Sequence, residues 1–68
     1  MSDDAKDIPR ADSVWRHRNG NQYYVLCVAN IYSERPEYPL TVVYVGANGR
    51  IWSRPFAEWH RSMTEEVF

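Results

Sequence analysis

The chain has 68 residues with one cysteine, which limits it to one small domain and excludes an internal disulfide. Its lone Cys and two His show no metal-ligand spacing, and no apolar run reaches the roughly 20 residues of a membrane-spanning helix. A chain this short buries only about 60% of its unfolded surface, so its core needs support from aromatic packing or self-association. We therefore expect a homodimer, with no metal and no membrane contact. Because the acidic N-terminus lacks a signal peptide, we expect a cytoplasmic location.

The net charge of −1 conceals a basic segment between two acidic ends. Residues 1–12 have a balance of −2, residues 13–61 carry six Arg against three Glu, and the last residues add two Glu. Arginine suits planar, bidentate contact with phosphate or carboxylate better than lysine does. Two interpretations stay open: an anion-binding surface, or ordinary surface charge with solvating tails.

The first half of the chain predicts an arm followed by a β-hairpin. Residues 1–12 are polar and without periodicity, which indicates a disordered acidic arm. Val14–His17 reads as a short strand, and Asn19-Gly20 is a strong hairpin signal because both residues tolerate positive φ. Residues 23–31 form the main predicted strand, apolar on both faces, with Cys27 as a buried thiol.

The second half predicts a loop, another hairpin and a helix. Residues 32–39 contain two prolines and read as a loop. Residues 40–45 and 50–54 are strands joined by a turn, and residues 56–63 carry an apolar helical stripe of Phe56, Trp59 and Met63. Residues 64–68 are expected to fray. The predicted fold is mainly β: a four-stranded antiparallel meander resembling an SH3-like barrel, with a short C-terminal helix, over residues 13–63.

The order of the motifs resembles a known family. W-R-H-R-N-G-N-Q-Y-Y-V-L, then T-V-V-Y-V and I-W-S-R-P, is similar to a family of short bacterial and bacteriophage proteins defined as a domain of unknown function. The resemblance implies a small β-domain, encoded by a phage or prophage and working inside a bacterium. The positions that carry it are Arg16, His17, Gly20, Tyr24, Val25, Val42, Val43, Tyr44, Trp52, Arg54, Pro55 and Trp59.

No catalytic signature is present in the sequence. The serines lack a partnered His and Asp, no pair of carboxylates is held in contrasting environments, and there is no phosphate loop. We therefore predict a protein that is not an enzyme and uses no cofactor.

The first functional hypothesis is a binding module for a nucleotide-like anion: a nucleotide, a cyclic nucleotide or a short single-stranded nucleic acid. If the sheet curls, the first and last strands become neighbours, and aromatic rings and guanidinium groups meet on one face. The competing interpretations are core packing for Trp15 and Trp52, and solvated strand positions for the arginines. The predicted ligand-binding residues are Arg16, His17, Tyr23, Trp52 and Arg54.

The alternative hypothesis is a protein-interaction module that inhibits a bacterial host or defence protein. Its contact would be the proline loop together with an exposed strand edge. Tyrosine and arginine in exposed loops are typical binding anchors. The predicted partner-binding residues are therefore Tyr32, Arg35 and Tyr38.

Overall fold

The computed structural model describes residues 7–67, which form one antiparallel sheet of five strands and one short helix. The strand order is β4-β3-β2-β1-β5. The prediction of a mainly β, antiparallel fold with a short helix is thus confirmed. The elements are β1 Val14–His17, β2 Gln22–Ala29, β3 Thr41–Gly46, β4 Ile51–Pro55, α1 Phe56–Trp59 and β5 Met63–Glu66.

Two tight turns set the register of the first four strands. Gly20 has φ of 96° and closes the first hairpin, where its N–H donates to the His17 carbonyl at 2.8 Å. Gly49 has φ of 81° and closes the second hairpin through the Gly46 carbonyl. These left-handed backbone conformations suit glycine, and both turns lie where the sequence predicts them.

The fifth strand comes from residues expected to end the helix and to fray. α1 ends at Trp59, and β5 then pairs antiparallel with β1, from His17 opposite Met63 to Val14 opposite Glu66. Consequently β5, and not β4, lies beside β1. Within residues 7–67 the sheet is open, with β4 and β5 at its edges, and the four-stranded barrel is not confirmed.

A β-bulge in β2 changes which side chains face the core. The register with β3 shifts between Val25 and Cys27, so the extra residue Leu26 lies on the same side as Cys27. Val25 is fully buried, whereas Leu26 and Cys27 are exposed on the opposite side. The expectation of a buried Cys27 thiol is therefore wrong, because simple alternation does not continue through the bulge.

The core lies between one side of the sheet and α1. Trp59 is fully buried, and its ring makes edge-to-face contacts with Trp15 at 5.4 Å and Tyr44 at 5.0 Å between centroids. Trp15 is therefore a core residue, and its indole N–H donates to Ser13 Oγ at 2.8 Å. The buried core side chains are Trp15, Val25, Val42, Tyr44, Trp59 and Met63, with Tyr23 and Phe56 packed against them.

The described part of the N-terminal segment lies against this body. Pro9 is buried, and the Asp7 carbonyl oxygen lies 2.9 Å from His60 Nε2. The Asp12 N–H donates to the Val25 carbonyl at 2.8 Å. Residues 7–12 of the predicted arm are thus attached to the sheet, while residues 1–6 lie outside the described part. No helix within residues 7–67 has the length and apolar character to cross a membrane.

Candidate functional site

A shallow depression lies at the end of the sheet where the two hairpin turns meet. Its volume is about 240 Å³. The two hairpins turn at the same end because β2 and β3 are antiparallel neighbours. We call this depression the tip pocket; it is lined by Asn21, Gln22, Tyr23, Gly46, Ala47, Asn48 and Trp52.

Trp52 supplies an aromatic surface to the tip pocket. It pairs with Tyr44 in the sheet register and therefore points to the same side as the core. However, 49% of Trp52 is exposed, in contrast to 3% of Trp15. The two tryptophans thus differ in role: Trp15 packs the core, and Trp52 remains accessible to a ligand.

Tyr23 forms the second aromatic wall and is held in place from behind. It is half-buried, and its ring meets Tyr44 edge-to-face at 5.3 Å. A Cβ atom at Gly46 would lie only 3.1 Å from Tyr23 Cε1. Glycine at position 46 therefore lets the tyrosine ring lie close to the backbone of β3.

Polar groups at the rim of the tip pocket come from the turns. Asn48 Oδ1 accepts a hydrogen bond from the Arg50 backbone N–H at 3.0 Å. This bond orients the carboxamide and leaves its NH₂ group as a donor for a ligand. The Asn21 N–H donates to Asn19 Oδ1 at 2.9 Å. Both asparagines read as turn formers in the sequence, and only the meeting of the two hairpins indicates a further role.

His17 lies beside the tip pocket without lining it. Its Nδ1 accepts a hydrogen bond from the Asn19 N–H at 3.0 Å, and its ring meets Tyr23 edge-to-face at 6.5 Å. The imidazole therefore satisfies a backbone donor of the first hairpin. It can influence a ligand through the position of Tyr23.

Arg54 follows Trp52 on the same side of β4. The strand rise places their Cα atoms roughly 7 Å apart. Arg54 is half-buried and makes no ion pair within residues 7–67. Its guanidinium is therefore a cation on the tryptophan side of the sheet that can contact an anionic group next to the pocket.

Arg16 does not join the other predicted ligand residues. The pleat directs it to the opposite side of the sheet from Trp15, and β1 is three strands away from β4. Arg16 Nε lies 2.5 Å from Glu66 Oε2, and Nη1 donates to the Gly20 carbonyl at 2.8 Å. This arginine therefore ties β1 to β5 and to the first hairpin.

The Arg16–Glu66 pair predicts an acid-sensitive contribution to stability. Hydrogen bonds from Arg16 and Gln22 hold the pKa of Glu66 below its usual value of 4.5. A lowered pKa in the folded state stabilises the fold above the unfolded value and loses that effect as the pH falls through the folded value. We expect the free energy of unfolding of Glu66→Gln to fall less on acidification than that of the wild type. Urea unfolding at pH values above and below the pKa of Glu66 measures this difference.

A matched control for this prediction lies next to Glu66. Glu65 occupies the adjacent position of β5 and pairs with Trp15 in the register, so it points to the other side of the sheet. Glu65→Gln removes the same charge without touching the Arg16 contact, and it should keep the wild-type pH dependence. Identical pH profiles for the two variants would show that the ion pair contributes nothing measurable.

The proline loop carries the second predicted group. Asn30 Nδ2 donates to the Pro39 carbonyl at 2.9 Å, which ties the two ends of the loop together. Within the loop, the Arg35 guanidinium lies 3.3 Å from Glu37 and 5.9 Å from the Tyr38 ring centroid. Tyr32 is 95% exposed. The loop thus presents aromatic and cationic groups to solvent.

The remaining chemistry is sparse. Within residues 7–67 no three His, Cys, Asp or Glu side chains gather as a metal site would require. A larger cavity of about 340 Å³ lies beside the N-terminal segment and contains none of the predicted site residues; it is lined by Asp7, Ile8, Pro9, Arg10, Trp15 and Glu65. Apart from Arg16, the predicted site residues lie at or beside the tip pocket and in the proline loop, which are therefore the two candidate sites. Comparison of the chain with protein-family models, with curated proteins and with solved structures found no match.

Proposed function

We propose that this protein is a non-enzymatic binding module whose tip pocket takes the base of a nucleotide, a cyclic nucleotide or a short single-stranded nucleic acid. The observation that supports this most directly is that the half-exposed Trp52 and the anchored ring of Tyr23 line the same pocket. An accessible indole next to a second aromatic ring offers a stacking surface for a flat heterocycle.

Stacking would supply most of the affinity. A base on an aromatic side chain contributes about 1–3 kcal/mol, largely independent of sequence. The Asn48 carboxamide adds a donor suited to a base edge, and Arg54 adds a charge-assisted contact to phosphate. The volume of about 240 Å³ lies below the roughly 300–1,000 Å³ of sites that enclose drug-sized ligands, which favours one base over a larger molecule.

Electrostatics would contribute less than the composition indicates. Of the body arginines, Arg16 is paired with Glu66 and Arg35 with Glu37. Four body arginines remain against Glu34 and Glu58, which leaves a net charge of +2. So small a net charge would release few counterions on binding to phosphates. The proposed ligand is consequently held by its base, and its affinity should depend only weakly on salt.

An NMR titration tests this proposal. Isotope-labelled protein is titrated with mononucleotides, cyclic dinucleotides and short single strands at low and at physiological salt, with ribose 5-phosphate as the control lacking a base. We expect shifts at the Trp52 indole, Tyr23 and Asn48 that persist at physiological salt and are absent with the control. Shifts that spread over surface arginines and vanish with salt would overturn the base-binding assignment.

The second candidate function is a protein-interaction module that acts through the proline loop. It is favoured by the 95% exposure of Tyr32 and by the Arg35–Tyr38 contact, since solvent-exposed Tyr and Arg are frequent interface anchors. Inhibition of a bacterial host or defence protein, and a phage or prophage origin, rest on the motif resemblance alone. A pull-down from bacterial lysate tests this function. It is supported if the wild type captures a stoichiometric protein partner and Tyr32→Ala does not.

A further inference from the structure

The side of the sheet opposite α1 carries a block of apolar side chains that nothing within residues 7–67 covers, with Arg16, Gln22 and Glu66 at its β1–β5 end. The register aligns Val14, Tyr24, Val45 and Ile51 in one row across β1, β2, β3 and β4. Leu26, Cys27 and Val43 follow next to this row. We call these seven residues the outer face. The helix packs against β3 and β4 from the opposite side, where Trp59 is buried in the core.

The composition of the outer face is unusual for a sheet surface in contact with water. Antiparallel sheets with one solvated face normally place polar side chains there. Here Ile51 is 65% exposed, Tyr24 41% and Leu26 38%. Contiguous exposed apolar groups of this kind mark an interaction surface. The bulge in β2 enlarges the surface because it turns both Leu26 and Cys27 outward.

We propose that the occupant of the outer face is a second copy of this chain, so that two sheets pack face to face as a β-sandwich. Two sheets stack about 10 Å apart and share one apolar layer. The small core of this chain, with six buried hydrophobic side chains in the described part, is then extended by a second layer. The inference does not depend on the proposed function, because the outer face lies on the other side of the sheet from Trp52.

The side of the molecule that carries the outer face is broad enough for a dimer contact. The described molecule measures 33 × 31 × 19 Å, so it is a broad, thin body. Its broad side can offer the roughly 800 Å² per partner that a stable interface of standard size buries.

The charges around the outer face favour self-association over a charged partner. The strands place two ionised side chains on this side of the sheet, Arg16 and Glu66, and these pair with each other. The Asp12 carboxylate lies at the margin, where it accepts a hydrogen bond from the Tyr24 hydroxyl. The strand surface itself therefore brings no unpaired charge into a contact between two copies. An apolar centre with a polar rim is the usual arrangement of a protein interface.

The relief of the face also fits a two-fold contact, in which the same patch must complement itself. A depression of about 220 Å³ lies beside Val14, Tyr24 and Val45 at the hairpin end of the outer face, and it shares four lining residues with the tip pocket: Gln22, Tyr23, Gly46 and Ala47. Ile51 and Leu26 project from the same face. One face thus carries both a recess and the side chains that can enter it in the partner.

The test is the mass in solution of three proteins. Sedimentation equilibrium of the wild type should give twice the 8.1 kDa chain mass. Ile51→Glu should raise the dissociation constant at least about 100-fold, because a two-fold contact buries two unpaired carboxylates. Ile31→Glu makes the same change at an exposed loop residue outside the outer face and should remain dimeric.

Alkylation of Cys27 gives a readout that survives if Ile51→Glu fails to fold. The thiol is exposed in a single chain, so a dimer should protect it and dilution of the wild type should accelerate its modification. A wild type that sediments as a monomer, or a Cys27 that reacts equally fast at all protein concentrations, would overturn the proposal. A folded Ile51→Glu protein that stays dimeric would place the dimer contact at a strand edge, and this would also overturn the proposal.

Discussion

Replacing Trp59 with alanine should cost about 3–5 kcal/mol and leave much of the protein unfolded at room temperature. Trp59 is fully buried and makes edge-to-face contacts with both Trp15 and Tyr44. Domains are stable by only about 0.05–0.15 kcal/mol per residue, so a chain of this length has little stability in reserve. Urea unfolding followed by circular dichroism measures the loss.

The effect should be large because Trp59 is the fully buried side chain that anchors α1, while Phe56 packs against the core only partly buried. A helix of four residues has no stability of its own in water and persists only through its packing. Without the indole, α1 has no fully buried side chain to hold it over the sheet. The turn that leads into β5 follows α1 directly, so the edge strand should loosen together with the helix.

Trp52→Ala is the matched control for this prediction. It makes the same chemical change at a half-exposed position. The loss in free energy of unfolding should stay below about 1 kcal/mol, because Trp52 lies outside the buried core. Trp59→Phe should be milder than Trp59→Ala, because the Trp59 indole N–H has no acceptor in the described structure and phenylalanine removes that buried donor. Equal unfolding midpoints for the two alanine variants would contradict the assigned core.

The first hairpin was predictable because its turn residues have strong backbone preferences of their own. The last strand was not, because its conformation depends on pairing with β1. Asn19-Gly20 requires a turn because of its backbone preferences, and the structure has that turn. By contrast, M-T-E-E has neither strong β-propensity nor apolar alternation. Its strand conformation comes from the ladder with β1 and from the Arg16–Glu66 contact, which only the folded chain brings together.

The same distinction applies to the candidate site. Tyr23 and Trp52 were predicted from their residue type and lie in one pocket, because neighbouring hairpins bring them together. The prediction that Arg16 joins them requires β1 and β4 to be adjacent, and in the structure β5 lies beside β1 instead. The error for Cys27 has a different cause, since one bulged residue reverses the facing of the rest of β2.

Trp52→Ala should reduce affinity for the base-containing ligand about 5- to 150-fold. The range follows from the roughly 1–3 kcal/mol that stacking of one base contributes. Because Trp52 is half-exposed and separate from the core cluster, the variant should stay folded, so the loss reports on the pocket. Trp52→Phe should retain part of the affinity, since it keeps a smaller aromatic surface. Titration followed by Tyr23 chemical shifts measures all three proteins.

Tyr32→Ala separates the two candidate functions. It removes an aromatic ring that is more exposed than Trp52 but lies in the proline loop, away from the tip pocket. Under the base-binding proposal, Tyr32→Ala binds the ligand with wild-type affinity, and Trp52→Ala binds it more weakly. Under the alternative, Tyr32→Ala loses the protein partner, and Trp52→Ala retains it. If the ligand affinity fell equally in both variants, stacking in the tip pocket would be contradicted. A single base bound in that pocket contacts Trp52 and does not contact Tyr32 in the proline loop.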